Sequence, residues 1–427
     1  MSARPRLQAD PAVDLIEVAA GIGRRLSERA IWHSERCNWV GGRLGPGPGN
    51  ELIEHHAALD ATFYEGTCGV ALFLAELHAL TGDADARRTA LGAVRQALAA
   101  APGSVPGRGL YSGTAGIALA AARVGRLVGE PALMDAAAGM TAGFTGPTRP
   151  DEELDLLNGT AGTVVALLAL ARLLDDPALL DAAVRLGDEL VAAGSGDDPS
   201  GAGLSWPSRQ MPTKRNLTGL SHGAAGIGLA LVELTAATGE RRFAQAAVRG
   251  FDYEQSLFDR SALNWPDLRE LVPGKPATPG AFATFWCHGG PGIALSRLTA
   301  LERLGGARWR SEAEAGLELT RASVERALQH GGGNFSLCHG LAGNAEILAD
   351  GARVLGHGWE RSAGAAVEAG AAGAARHGAE GPWPGGAGAH EALGLMLGIA
   401  GIGYFYLRAA GAPLPSVLRP DPTVVGS

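Results

Sequence analysis

Two of the chain's four cysteines stand directly before a His-Gly pair, in Trp286-Cys287-His288-Gly289 and in Leu337-Cys338-His339-Gly340. A third histidine has the same setting without the thiol, in Ser221-His222-Gly223. Thiolate and imidazole are the donors that tetrahedral zinc prefers, and a catalytic zinc keeps one position open. Cys287 and Cys338 are therefore candidate metal ligands, with one imidazole as the third. From spacing alone, His288 and His339 are equal candidates for that place. His222 has no thiol beside it and is a candidate for proton transfer. Asp155, in DLLNG four residues ahead of Gly159, could face the same opening, although an Asp at this distance from a helix start also serves as a cap. Cys37 and Cys68 read as small buried hydrophobes, and His55, His56, His78 and His390 as ordinary histidines.

What must bring these residues together is a repeat written in glycine. Gly-x-x-Gly followed by an apolar run occurs seven times, starting at Gly66, Gly113, Gly159, Gly223, Gly289, Gly340 and Gly398. The intervals of 47, 46, 64, 66, 51 and 58 residues each hold a helix, a loop, a second helix and a return. The runs after the glycines, such as GTVVALLAL, are apolar all round and predict buried helices. Stretches between them, such as DADARRTALGAVRQALAA (83–100) and DPALLDAAVRLGDELVAA (176–193), are amphipathic and predict outer helices. The first and last repeats are as apolar as the middle ones, which predicts closure into a double ring rather than an open, capped solenoid. In such a ring the residues just ahead of each buried helix converge at one end. Three neighbouring repeats then deliver Cys and His to one place.

Turn-rich segments at 42–49, 101–109, 195–203 and 380–388 read as breakers between helices, and none is long enough to divide the chain. The whole of 1–427 is expected to be a single domain with a loose tail over 411–427, where no helical period remains. Trp206, Trp265 and Trp383, each followed by Pro, are expected to anchor loops at one rim.

With 46% hydrophobic residues, 19% charged residues and a net charge of −8, the chain suits a packed globular protein and carries no basic footprint for nucleic acid. The most apolar stretch, at 160–174, is too short to span a bilayer and contains Arg172. No secretory signal opens the sequence, so a cytoplasmic location with reduced thiols is expected.

Four stretches together, NLTGLSHGAAGIGLAL, NWPDLR with WCHGGPGIAL, SLCHGLAGNAEIL and LGLMLGIAGIGYFYLR, resemble the lanthionine synthetase C-like family of lanthipeptide cyclases, and the seven glycine motifs extend the likeness along nearly the full chain. The wording is similar to the cyclase region of two-domain synthetases. The resemblance implies an all-α fold, an α/α toroid of seven inner and seven outer helices. It implies zinc held by Cys287, Cys338 and His339, with His222 as the catalytic histidine and Asp155 as its helper. The implied reaction is conjugate addition of a peptide cysteine to dehydroalanine or dehydrobutyrine, closing a thioether ring in a dehydrated precursor peptide. Because no dehydratase portion precedes the motifs, a separate dehydratase or kinase/lyase partner is expected. One departure is that Ala283 stands where some members carry Arg, so a charge partner for Asp155 must come from elsewhere or be absent. Alternatives are a non-catalytic toroid binding a peptide or glutathione, and a zinc-thiolate alkyl transferase.

Overall fold

The computed structural model describes residues 14–46, 52–105, 107–197, 201–210, 213–269, 281–386 and 391–422. His390 and residues 423–427 lie outside them. Among the described residues fourteen α-helices alternate between two layers, beginning with α1 (Leu15–Glu28), α2 (Thr67–Thr81), α3 (Ala84–Ser104), α4 (Thr114–Val128), α5 (Pro131–Met140), α6 (Thr160–Leu173) and α7 (Pro177–Ala193). The series continues with α8 (Ala224–Thr238), α9 (Arg241–Ser256), α10 (Gly290–Leu304), α11 (Ala307–Gln329), α12 (Leu341–Leu355), α13 (Glu360–His377) and α14 (Ile399–Ala409).

The even-numbered helices form the inner ring. Each packs on the next, from α2 to α4 round to α12 and α14, and α14 packs back on α2. Odd-numbered helices cover them one by one, α3 on α2 through α13 on α12, while α1 from the start of the chain covers α14. The first helix thus closes the ring with the last. This is an α/α toroid of seven inner and seven outer helices.

The two helix types follow from their residues. In α8 every residue from Ala224 to Leu234 is buried, as suits a run with no polar face. The outer α7 buries only Leu179, Ala182, Ala183, Leu186, Gly187 and Leu190, a single stripe at helical spacing, and Asp176 caps its first turn by accepting from the Ala178 N–H. Inner helices start instead on glycine without a side-chain cap. The second glycine of each motif lies so close to the carbonyl three residues before the first that a Cβ would overlap it, as at Gly116 on Leu110 and Gly343 on Leu337. Gly-x-x-Gly is therefore a knuckle that folds each entering turn onto the first turn of its helix.

Three expectations need correction. Residues 42–49 are not simply a breaker, because 40–46 form strand β3 (Val40–Pro46), paired antiparallel with β4 (Leu52–Ala58) after a smaller hairpin of β1 (Ile31–His33) and β2 (Arg36–Asn38). The segment 101–109 is in part helix, since α3 runs to Ser104 and includes Pro102. The tail is not loose over 411–422. Leu414, Val417 and Leu418 are buried, and their neighbourhood accepts hydrogen bonds from buried side chains: Tyr111 Oη to Val417 O (2.7 Å), Trp286 Nε1 to Leu418 O (2.8 Å) and Tyr404 Oη to Pro415 O (2.8 Å). Arg419 pairs with Glu302 and Asp350, and Asp421 with Arg303 at 2.8 Å. Aperiodic chain is ordered here by hydrogen-bond donors and charges that the ring supplies, a tertiary effect with no local signature.

Trp206, Trp265 and Trp383 are buried loop anchors, with Trp206 Nε1 donating to Leu190 O at 2.8 Å. No described helix is long and apolar enough to cross a membrane.

Candidate functional site

The residue two places before the first glycine of each motif forms a closed series: Tyr64, Tyr111, Leu157, Ser221, Cys287, Cys338 and Met396. Backbone hydrogen bonds run round it. Tyr64 N–H donates to Tyr111 O, Tyr111 to Leu157, Leu157 to Ser221 and Ser221 to Cys287, at 2.8 to 3.2 Å. Cys338 N–H donates to Met396 O and Met396 to Tyr64 O, at 2.9 and 2.8 Å. Among the described residues, no backbone bond joins Cys287 to Cys338. The one gap in the circle falls between the two thiols.

All seven inner helices begin at this rim, so their N-terminal dipole ends converge there and favour negative charge. Cys338 is buried and Cys287 partly exposed. The two thiols set each other's ionisation. A hydrogen bond from Cys338 pulls Cys287 below its ordinary value against the cost of burial, with help from Arg269 and His222. Burial pushes Cys338 well up, and Cys287 pushes it further, while Tyr64 and Arg269 act in the opposite direction. The pair is biased toward one thiolate, on Cys287.

His222 and Asp155 come together from neighbouring turns. His222 Nδ1 lies 2.6 Å from Asp155 Oδ2, and Asp155 Oδ1 accepts the Asn158 N–H at 2.6 Å. A carboxylate at Nδ1 fixes the tautomer that leaves Nε2 for proton exchange. The turn that carries His222 is held from below: the buried carboxylate of Glu254 accepts from the Gly219 and Ala225 N–H groups at 2.8 and 3.0 Å, and Glu254 is itself paired with fully buried Arg297 at 2.9 Å.

The two Cys-adjacent histidines diverge. His288 is buried, its Nε2 3.5 Å from Ser221 Oγ and its ring 5.9 Å from that of His222; burial and then Arg269 drive its pKa down to about 3, so it stays neutral. His339 is only half-buried, and its Nε2 lies 3.2 Å from Gly386 O. Burial and Arg269 lower its pKa while that carbonyl acts against them. Phe285, 39% exposed, sets its ring edge-on to His339 at 6.0 Å.

For zinc, the fit is one of donor chemistry with an incomplete assembly. Two adjoining thiols biased to one thiolate suit the metal, and Nε2–H donation to a backbone carbonyl is how a ligating histidine is commonly oriented, which leaves Nδ1 of His339 for the ion. Among the described residues, however, no three His, Cys, Asp or Glu side chains already stand as a group able to hold a metal.

Sequence reasoning gave no role to Tyr64, Asp267 or Arg269. Tyr64 was within reach of it, because it occupies the same repeat position as the two cysteines. Arg269 lies in a loop with no repeat register; its guanidinium pairs with Asp267, while Asp155 is partnered by His222, and its charge acts on Cys287, Cys338, His288 and His339.

These features define an α/α toroid with a thiol and imidazole centre at the rim where its inner helices begin. The family model described as lanthionine synthetase C-like protein matches residues 57–417, and the chain belongs to that family. Among solved structures, nisin cyclase is 20% identical, with a TM-score of 0.60 over 83% of this chain and 92% of its own. A GH76 α-mannanase, BT2949 of Bacteroides thetaiotaomicron, is 12% identical, with a TM-score of 0.52 over 94% and 96%. Both likenesses are of fold. No curated protein matches the chain in sequence. Since a cyclase and a glycosidase share the ring, the side chains at its rim have to carry the functional argument. Asp155 is held by His222, and Asp267 by Arg269.

Proposed function

We propose that the chain is a zinc-dependent lanthipeptide cyclase, adding peptide cysteine thiols to dehydroalanine or dehydrobutyrine in a dehydrated precursor peptide. The observation that carries this reading is the break in the circle of turns at Cys287 and Cys338, with the Asp155–His222 pair one turn away. Cys287, Cys338 and His339 would hold zinc, which supplies a Lewis acid that makes a substrate thiol nucleophilic at neutral pH. His222 takes the proton the thiol gives up and returns it to the α-carbon after the carbon–sulfur bond has formed, so the addition needs no outside acid or base. Asp155 holds the imidazole in the orientation for both transfers.

Dehydration of the peptide would fall to a separate dehydratase or kinase/lyase partner. A cytoplasmic setting, where thiols stay reduced, suits the chemistry. One rival is a non-catalytic toroid that binds peptides or glutathione. The other is an alkyl transferase that holds zinc with a carboxylate.

Zinc analysis of the purified protein should give one ion per chain, falling to background in Cys287→Ala and Cys338→Ala. Incubation with dehydrated precursor should consume peptide thiols, counted by alkylation and mass spectrometry. Zinc content untouched by both substitutions would remove the metal assignment, and unchanged thiol counts with every precursor tried would favour the binding scaffold.

A further inference from the structure

The segment from Asn264 to Arg269 has no regular structure, yet both reactive turns clamp it. Asn264 Nδ2 donates to Ala283 O at 2.9 Å, its Oδ1 accepts the Gly290 N–H at 2.9 Å, and Asp267 N–H donates to Ala281 O at 2.9 Å, which ties the segment to the Cys287 turn. Thr218 Oγ1 donates to Pro266 O at 2.8 Å, tying it to the His222 turn. Trp265 is buried beneath, its ring 4.6 Å from that of Phe258.

The clamp delivers a guanidinium with one edge taken. Arg269 Nε and Nη2 grip the Asp267 carboxylate at 3.0 and 2.7 Å, and the Arg269 N–H donates to the same group at 3.1 Å. No acceptor stands against Nη1 among the described residues. The side chain is 27% exposed, enough for a ligand to reach it. A lysine could not divide its donors in this way, whereas the planar fork offers one edge to Asp267 and the other to a second oxygen.

We propose that Arg269 is a catalytic residue of the cyclisation, binding through Nη1 the carbonyl oxygen of the dehydro residue under attack. This rests on the cyclase reading above. As the thiolate lone pair forms the bond to the β-carbon, the Cα=Cβ electron pair moves to the bond between the α-carbon and the carbonyl carbon, and the carbonyl pair moves onto oxygen. The negative charge therefore gathers on an atom that the thiols and His222 do not serve. It returns when His222 places the proton on the α-carbon, leaving a thioether and a restored amide. A preorganised donor at such an oxygen is worth roughly 10²- to 10³-fold in rate. Asp267 acts as a positioning residue.

The test uses a dehydrated peptide with one cysteine and one dehydroalanine, the zinc-loaded full chain, and the variants Arg269→Ala, Arg269→Lys and Asp267→Asn. In Arg269→Ala, kcat should fall roughly 10²- to 10³-fold. Its KM should stay within about threefold, with zinc per chain and thermal midpoint as in the wild type, and millimolar guanidinium ion should restore part of the turnover. Arg269→Lys should keep the fold and lose rate without rescue. Asp267→Asn should lose less than Arg269→Ala. Unchanged kcat in Arg269→Ala overturns the proposal, as does zinc loss in step with activity, which would mean that the arginine works through the metal ligands. Wild-type protein that consumes no thiol sinks the cyclase reading itself, whereas active wild type with indifferent Arg269 variants sinks this inference alone.

Discussion

The two Cys-His-Gly turns are spelled alike and built differently. At Gly340 the backbone enters α12 with φ of −124°, in the extended range of the other inner-helix starts, whereas Gly289 enters α10 with φ of +90°. That left-handed residue closes a tight loop in which Phe285 N–H donates to His288 O at 3.1 Å, and it takes His288 down among buried groups beside Ser221. His339 stays at the half-exposed surface beside Gly386 and Phe285. One glycine torsion therefore separates a neutral brace between two turns from a side chain able to meet an ion. Repetition supplied equivalent positions, and backbone conformation assigned them unequal work.

The largest expected effect breaks the symmetry at the histidines. His339→Ala should drop zinc to background and turnover by about 10³-fold, since a catalytic zinc with two protein ligands is one short. His288→Ala should keep one zinc per chain and lose only about tenfold in turnover, because it loosens the turn that positions His222 and removes no ligand. Zinc measured on both variants decides the matter. Equal loss in the two would mean that the histidines share one role and that the torsion at Gly289 has no functional consequence.

How much of this was legible in sequence follows from where the physical cause resides. The Gly-x-x-Gly knuckle is a steric necessity at every inner-helix start, so the ring and its seven-fold count could be read directly, together with the convergence of residues 222, 287 and 338 on one rim. The choice between His288 and His339 could not be read from spacing, because glycine permits both signs of φ and the two motifs offer the same letters. Resemblance pointed to His339, and the geometry supplies a physical distinction between the two. Arg269 and residues 411–422 escaped for a different reason. Neither sits in a repeat, and their order comes from partners that no local pattern announces: the Asp267 carboxylate for one, and the side-chain donors of Tyr111, Trp286 and Tyr404 with a set of buried charges for the other. The hairpin of β3 and β4 was hidden by the glycines and prolines of 42–49, which predict turns wherever pairing does not override them.

A middle-sized effect concerns what lies behind each turn. Trp286, next to Cys287, donates its Nε1–H to Leu418 O in the C-terminal segment, while the Cys338 turn is braced from another side, by Phe335 N–H to Pro384 O and Asn334 Nδ2 to Gly386 O. Arg419 secures that C-terminal segment through buried Asp350 and through Glu302. Removing one partner of a buried charge pair costs about 3–5 kcal/mol. For a chain of this length each kcal/mol shifts Tm by about 1 °C, so Arg419→Ala should lower Tm by roughly 3–5 °C. Its local effect should be one-sided. Hydrogen exchange should quicken at Trp286 and Cys287 and stay unchanged at Cys338, and equal acceleration in both turns would show that the segment supports the ring as a whole.

The smallest effect separates the thiols themselves. With metal removed by chelation, Cys287 is partly exposed and its pKa lies below the ordinary value, while Cys338 is buried and its pKa lies well above. Alkylation requires both a thiolate and access, so iodoacetamide at neutral pH should label Cys287 at least about tenfold faster than Cys338. Cys37, buried and with its pKa pushed up to about 12, is the internal control and should remain unlabelled while the protein is folded. Zinc should slow the labelling of Cys287, since coordination draws charge from the sulfur and shields it from the reagent. Peptide mapping after limited alkylation reads all three rates in one digest. Labelling of Cys338 ahead of Cys287 would reverse the thiolate assignment and place the more nucleophilic sulfur on the turn that carries His339.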